Sequence, residues 1–365
     1  MKLFPLRNRA NRPNSNLPHI RVGIAHLTGP GKLSASNEHL EFETAGARQV
    51  RLDVDGLSEV VAYGELLVTS GAMRLVEQHG IALTWLSPNG CYVWGRFTHN
   101  NSDRVLTKLL QFQAWEDRAW QLTTARDIVS RKIESMHTAL RHYQRQGKTL
   151  SNGVLSRVED CGRKCGEAGD VEQLRGVEGY ATSLWFSQYA TFFAGDWTFK
   201  GRNRRPPKDP VNSLLSLGYM QLYRRTVARI EASGYEAGLG ALHEFRPGRQ
   251  SMACDIMEPL RIPVVDRWVL AVCGQGIVKK TDFESSDNGA VMLARGRIGN
   301  VLTRLEEHWH QGNFEQILEQ EVSRWVEKIR GNVSRDTSRA ASYLRGRLLR
   351  ESGAVTSGEL EVDEL

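Results

Sequence analysis

Residues 81–114 read IALTWLSPNGCYVWGRFTHNNSDRVLTKLLQFQA, and the hydrophobic period changes inside them. On the N-terminal side, IALTWL and YVWGRF have strand length and are rich in β-branched and aromatic residues. The Pro88-Asn89-Gly90 tract between them is a turn signal, so the pair predicts a β-hairpin. Beyond Asp103, apolar residues recur as Val105, Leu109, Phe112 and as Leu106, Leu110, Ala114, at intervals that suit a helix. A boundary between a β-rich part and a helical part therefore falls near residues 98–103.

Working back from the hairpin, IRVGIAHL, HLEFETA, VRLDV and VVAYG are further strand-length runs. One helix fits among them, Ser70 to His79 with Gly80 as its end, its Met73 and Val76 packing with Leu66 to Val68. Residues 1–18, rich in Arg, Asn and Pro without periodicity, are expected to form a flexible arm. Residues 19–98 then form a small β-rich domain in which nothing looks catalytic.

Working forward, Ile128, Ile133, Met136 and Leu140 continue the helical stripe to Gly147. Residues 150–169 are polar and glycine-rich, with Cys161 and Cys165 flanking Gly-Arg-Lys. Two cysteines at that gap suit half of a zinc site, but no second pair follows, so the expectation is a loop with two free thiols. Residues 171–194 read as a helix with Leu184, Trp185, Tyr189, Phe192 and Phe193 on its apolar face. Glu178 sits on its opening turns between Gly176 and Gly179. Each glycine costs a helix about 1 kcal/mol relative to alanine. Either something approaches the backbone closely there, or this is a loose helix start with an exposed glutamate.

Lys200, Arg202, Arg204, Arg205 and Lys208 form the densest basic patch. Asp209 as N-cap and Pro210 as first residue predict a helix from Pro210 to Ser233, ended by Gly234. Its early turns carry Asn212, Ser213, Ser216 and Tyr219, its later ones Arg224, Arg225 and Arg229. A basic loop leading into a basic helix suits a phosphate backbone, and the scarcity of interleaved acids weakens the alternative of a solubilising loop. Residues 242–258, LHEFRPGRQSMACDIME, follow. A helix from Ser251 puts Asp255 and Glu258 one turn apart on one face, with His243 in a loop just upstream. By spacing alone that trio is either a metal-ligand set or a solvated helix face beside an ordinary loop histidine. Cys254 falls on a different face. Pro259 and Pro263 then interrupt the helix before residues 264–272 resume it. Residues 289–310 and 314–331 look like amphipathic helices, residues 336–350 like a basic one, and residues 351–365 like a disordered acidic tail.

The chain has 365 residues, 40% of them hydrophobic, so a sizeable core is available. Its 48 basic against 42 acidic residues give a formal charge of +6, a mild excess compatible with nucleic acid. Five irregularly spaced cysteines point to a reducing compartment, and no apolar run suits a signal peptide or a bilayer span. A cytoplasmic location with no membrane insertion is expected. No phosphate-binding P-loop is present.

Four blocks, RGVEGYATSLWF, GRNRRPPKDPVNSLLSLGY, GALHE and SMACDIMEPLRIPVVDR, occur in an order and spacing that resemble the CRISPR adaptation integrase family, Cas one, which inserts new spacers into a CRISPR array. Residues 60–97 also resemble that family's β-rich N-terminal domain. The resemblance implies an α+β protein, a small N-terminal β-rich domain (residues 19–98) used in dimerisation followed by a larger all-α catalytic domain (residues 103–350). It implies a prokaryotic enzyme in which Glu178, His243 and Glu258 hold Mg²⁺ or Mn²⁺. Asp255 is then a second acid, either a direct ligand or an orienting group. Two carboxylates and an imidazole form a mixed oxygen and nitrogen site that suits those hard ions. Arg202, Arg204, Arg205, Lys208, Arg224 and Arg225 would bind DNA phosphates. Asn212 and Tyr219 would line the site, although Tyr219 suits a core position equally well. The implied reaction joins the 3′-hydroxyl ends of a protospacer duplex to a CRISPR repeat by transesterification. The implied partners are those DNAs, a second copy in a homodimer, and the small protein Cas two in a heterohexameric complex. Two other readings stay open, a metal-dependent nuclease on branched DNA and a non-catalytic DNA-binding scaffold.

Overall fold

The computed structural model describes residues 23–44, 49–97, 104–195, 197–203, 206–287 and 289–332. The expected arm, the junction at 98–103, Arg204, Arg205, the basic helix at 336–350 and the acidic tail lie outside the described residues.

The apolar runs before residue 98 become strands: β1 (Ile24–Thr28), β2 (Gly31–Ser36), β3 (His39–Thr44), β4 (Val50–Asp53), β5 (Glu59–Tyr63), β6 (Leu66–Val68), and, after helix α1 (Ser70–Gln78), β7 (Ala82–Leu86) and β8 (Val93–Phe97). Two four-stranded sheets result, ordered β4-β3-β2-β6 and β1-β5-β7-β8. In the second, β1, β5 and β7 run parallel and β8 closes the edge as the antiparallel arm of the expected hairpin. Gly90 turns that hairpin at φ +70°, and Ser87 Oγ accepts the backbone N–H groups of Cys91 and Tyr92. Strands β2 and β6 are not foreseen in the sequence. Leu33 and Ala35 are the only apolar residues of β2, whose register is set by antiparallel pairing with β3 across a turn with Asn37 at φ +53°.

Alternation along the second sheet gives its faces different jobs. Ala25, Leu27, Val60 and Leu83 join Leu33, Leu40, Phe42, Ala72, Val76 and Ile81 in a small core between the sheets and α1. The opposite face carries His26, Glu59, Val61, Tyr63, Thr84 and Leu86, and it packs on helices. β5 is therefore buried along its whole length, unlike a strand with one solvated face.

Those helices are α2 (Arg104–Glu116), the 28-residue α3 (Arg118–Arg145), α4 (Val154–Glu167), α5 (Val171–Ala190), α6 (Pro210–Ala232), α7 (Ser251–Met257) and α8 (Arg267–Gly274). A short hairpin follows, β9 (Phe283–Ser285) with β10 (Val291–Leu293), and then α9 (Arg295–Gln311) and α10 (Phe314–Gly331). The segment expected as a loop with two thiols is helix α4. Its Val154, Val158, Cys161 and Cys165 are buried at helical spacing, and the Cys165 thiol lies 3.3 Å from Ser130 Oγ on α3. The glycines and charges of this segment occupy its outer face, which hid the stripe. Residues 289–294, expected as the start of a helix, carry β10, and α9 begins only at Arg295.

α6 forms as its Asp209 cap and Pro210 dictate, and it crosses beneath the sheet. Arg224, 1% exposed, is ion-paired with Glu59, which also accepts from Thr84 Oγ1 at 2.6 Å. Arg225 pairs with Glu306 of α9 and stacks 4.2 Å over the Trp309 ring. These two arginines were expected on DNA. They are inside the protein instead, because Glu59 on the polar sheet face and Glu306 on α9 are buried carboxylates that need cations beside them. His26 Nε2 donates to Glu306 at 3.2 Å while its Nδ1 accepts from the Tyr63 hydroxyl at 2.9 Å.

Removing one member of such a pair leaves an uncompensated buried charge. Arg224→Ala is expected to lower unfolding free energy by about 3–5 kcal/mol in a guanidinium titration; a loss below about 1 kcal/mol would contradict the role given to the pair. Burial pushes the His26 imidazole below its ordinary 6.5, outweighing Glu306, which favours the charged ring. The folded form therefore binds fewer protons than the unfolded one, and this contribution is present above 6.5 and lost as pH falls through it. Urea midpoints between roughly pH 7.5 and 5.5 should fall more steeply for the wild type than for His26→Gln, and parallel curves would contradict this.

Candidate metal centre

Lys132 stands at the middle of α3 in the stripe formed by Val129, Ile133 and Met136, and it is 4% exposed. Its ammonium donates to Glu178 Oε1 and, at 2.6 Å, to Glu258 Oε2. Glu178 comes from the second turn of α5, where its Oε1 also accepts from Thr182 Oγ1 at 2.9 Å. Glu258 comes from the far end of α7. There the helical path tightens into a 3₁₀ turn, Glu258–Leu260, then widens into a π turn, Arg261–Asp266, before α8. Pro259 and Pro263 were expected to interrupt the helix, and they change its winding rather than end it.

Glu258 is 2% exposed. Burial raises its pKa, but Arg261, Lys132 and His243 together outweigh that and hold the carboxyl at about 2. Arg261 Nη2 donates to Glu258 Oε1 at 2.9 Å. The face carrying Asp255 and Glu258 is therefore a charged interior, not a solvated surface.

His243 lies in the loop between α6 and α7, with Nε2 3.9 Å from Glu258 Oε1. Its Nδ1 donates to Asp255 Oδ1 at 2.5 Å. Asp255, fully buried, also accepts the backbone N–H groups of Ala241 and Leu242 on Oδ2 and of His243 on Oδ1. Both of its oxygens are thus engaged in holding the loop and the ring. In the neutral ring this leaves the Nε2 lone pair on the side of Glu258. The close approach needs Gly240, where a Cβ would come within 2.8 Å of Asp255 Oδ2 and 2.9 Å of the His243 carbonyl.

Tyr219 lies one layer away. Its ring lies between the guanidinium groups of Arg202 and Arg261, at 5.4 and 5.1 Å from its centroid. Its hydroxyl donates to Asp266, whose other carboxylate oxygen accepts from Trp185 Nε1 at 2.7 Å. Burial pushes Asp266 up to about 6 against those donors and the two arginines. Tyr219 therefore contacts Arg261, the guanidinium that pairs with Glu258. Asn212 does not line the site: it is fully buried and pins the 201–209 loop, accepting from Arg202 Nη1 at 2.9 Å and donating to Gly201 O and Asp209. Arg202 and Lys208 flank the start of α6, with Lys208 exposed. Gly176 and Gly179 are exposed, and a Cβ at either would meet nothing within 4 Å, so nothing in the described chain packs on those two glycines.

Lys132, Arg261 and Asp266 were not anticipated from sequence. A lone lysine at a core position of the α3 stripe was a usable signal for the first, and the three-residue offset from Glu258 one for the second. The donor set suits a hard divalent cation, since two carboxylates already hold positive charge between them and an imidazole nitrogen lies beside one of them. As they stand, with Lys132 between the glutamates, no three His, Cys, Asp or Glu side chains among the described residues are gathered closely enough to hold a metal.

A family model described as CRISPR associated protein Cas1 matches residues 25–307. The chain is 32% identical over 269 residues to CRISPR-associated endonuclease Cas1 3 of Thermus thermophilus, covering 73% of this chain and 79% of that protein. Its fold is similar to that of a casposase bound to integration product, with a TM-score of 0.74 and 18% identity over 90% of this chain and 99% of the other. It is also similar to a chain of a Cas6-RT-Cas1–Cas2 complex, with a TM-score of 0.75 and 22% identity over 89% of this chain and 37% of that longer one. A family match spanning the sheets and the segments that carry Glu178, His243 and Glu258 leaves one conclusion: this chain belongs to the CRISPR associated protein Cas1 family.

Proposed function

We propose that the protein is a metal-dependent DNA integrase of CRISPR adaptation, joining the 3′-hydroxyl ends of a protospacer duplex to a CRISPR repeat by transesterification. The observation that supports this reading is that Lys132 joins Glu178 Oε1 to Glu258 Oε2 while His243 Nε2 lies 3.9 Å from the other oxygen of Glu258. Those three groups would hold Mg²⁺ or Mn²⁺, and Asp255 would act as the orienting carboxylate because both its oxygens are already committed. A divalent ion in that place supplies Lewis-acid polarisation of a phosphodiester and charge stabilisation on its oxygens. Arg202 and Lys208, with Arg204 and Arg205 of the same patch, would neutralise DNA phosphates and set the strand's path. The open flank of α5 at Gly176 and Gly179 gives a nucleic-acid backbone room beside Glu178. In the joining step, the attacking 3′-oxygen bonds to phosphorus as the bond to the departing strand's 3′-oxygen breaks. One phosphodiester replaces another, so no nucleotide cofactor is required.

The endonuclease name of the Thermus relative favours a second reading, hydrolysis of branched DNA by water at the same site. For assembly, the partners would be a second copy of the chain and a Cas2 protein, the latter named in the complex to which the fold is similar. Val93 and Trp94 of β8, the edge of its sheet, and Tyr92 just before it are exposed, and Val105, Leu109 and Phe112 are exposed on α2. Trp94, 57% exposed, is the natural anchor for a homodimer on this face.

The discriminating assay incubates the protein with Mn²⁺ or Mg²⁺, its Cas2 partner, a short duplex with 3′-hydroxyl ends and a plasmid carrying a repeat array. Strand-joined product is expected from the wild type. Asp255→Asn should reduce it about 10–100-fold, and Glu178→Gln, His243→Ala and Glu258→Gln by more. Equal joining by the wild type and His243→Ala would remove the integrase reading, whereas cleavage without joining would favour the nuclease. In sedimentation experiments Trp94→Asp should shift the protein toward monomer, and an unchanged dimer would place the interface elsewhere.

A further inference from the structure

We propose that Lys132 is a resident counter-cation of the Glu178/Glu258 pair, which a divalent ion must displace in order to bind. The proposal rests on the metal-site reading above and adds to it a competitor built into the chain. Lysine is almost never fully buried unless paired, and Lys132 is 4% exposed among the apolar residues of the α3 stripe. Its ammonium reaches one oxygen of each glutamate, and those two glutamates come from α5 and from the end of α7. Without a cation there, the buried Glu258 and the half-buried Glu178 would face each other, with Arg261 and His243 on the other oxygen of Glu258 to offset them. Lys132 therefore keeps the site assembled when no metal is bound.

The same position explains why binding must be an exchange. A divalent ion ligated by Glu178 Oε1 and Glu258 Oε2 would compete with the ammonium for those oxygens, and two cations held that close repel each other. The four-carbon stem of lysine can swing its head away while its base stays in the helix stripe. Metal affinity is then reduced by whatever the lysine gains from the pair, so occupancy responds to ion concentration over a higher range than the ligand set alone would give.

The test measures Mn²⁺ affinity of the full-length protein by titration calorimetry, without DNA and without an activity readout. Lys132→Met keeps the stem and removes the charge. It should bind Mn²⁺ at least tenfold more tightly than the wild type, and its melting temperature should be lower than the wild type's without metal and recover more when Mn²⁺ is added. Equal or weaker binding by Lys132→Met, with the wild type binding normally, would overturn the proposal and leave the metal site standing. Failure of the wild type to bind, or undiminished binding by Glu258→Gln, would instead remove the metal-site reading itself. Should Lys132→Met not fold without metal, acetylation of Lys132 in the wild type decides the matter, read by peptide mass spectrometry against exposed Lys164. Labelling is expected to rise several-fold with Mn²⁺, and no rise would overturn the proposal.

Discussion

The controlling constraint in this molecule is the cost of placing ionised carboxylates out of water. Glu258 is almost wholly buried yet held at about 2, which is possible only because Arg261, Lys132 and His243 surround it. Much of the helical half positions those groups. The long α3 brings Lys132 in from one side, α5 brings Glu178, and the change of winding after α7 turns Glu258 and Arg261 toward each other. Asp255 meets the same constraint differently, by accepting three backbone N–H groups and one imidazole N–H.

The joint between the sheet and the helices follows the same rule. One face of β1, β5 and β7 is polar, with Glu59, His26, Tyr63 and Thr84, and α6 and α9 meet it with Arg224, Arg225 and Glu306. Burial raises the Glu306 pKa while Arg225 and His26 lower it more, so the carboxyl stays well below the usual range. Truncating one partner of such a pair is costly, whereas an apolar joint of equal volume need not be less stable. Charged pairs do specify one relative placement of the two halves, because Arg224 on α6 and Glu306 on α9 meet Glu59 and His26 of the sheet. That placement sets α6, and with it Tyr219 and Arg202, against the metal centre.

Much of the architecture was legible in the sequence. The period change across residues 81–114 gave strands before Phe97 and helices from Arg104, and Asp209-Pro210 marked the start of α6. Elements whose pattern is weak were not: β2 has only two apolar residues, and α4 hides its buried stripe behind glycines and charges. At the site, residue types with an intrinsic chemical signature, Glu178, His243, Asp255 and Glu258, could be picked out and do come together. The cations could not be sorted the same way. Arg224 and Arg225 read as DNA ligands and are core, while Lys132 reads as an unremarkable helix residue and sits at the centre, because a positive charge is placed by the carboxylate it finds in three dimensions. Periodicity on one chain segment does not reveal a partner 126 positions away, the separation of Lys132 and Glu258.

The central claim is that Glu178, Glu258 and His243 form one cation site with Asp255 behind the imidazole. A crystal structure of the protein grown with Mn²⁺, with anomalous data collected near the manganese edge, tests it most directly. The account predicts one anomalous peak ligated by Glu178, Glu258 and His243 Nε2, with His243 Nδ1 still donating to Asp255. A peak ligated by Asp255 in place of the imidazole, or no peak at these residues, would contradict it.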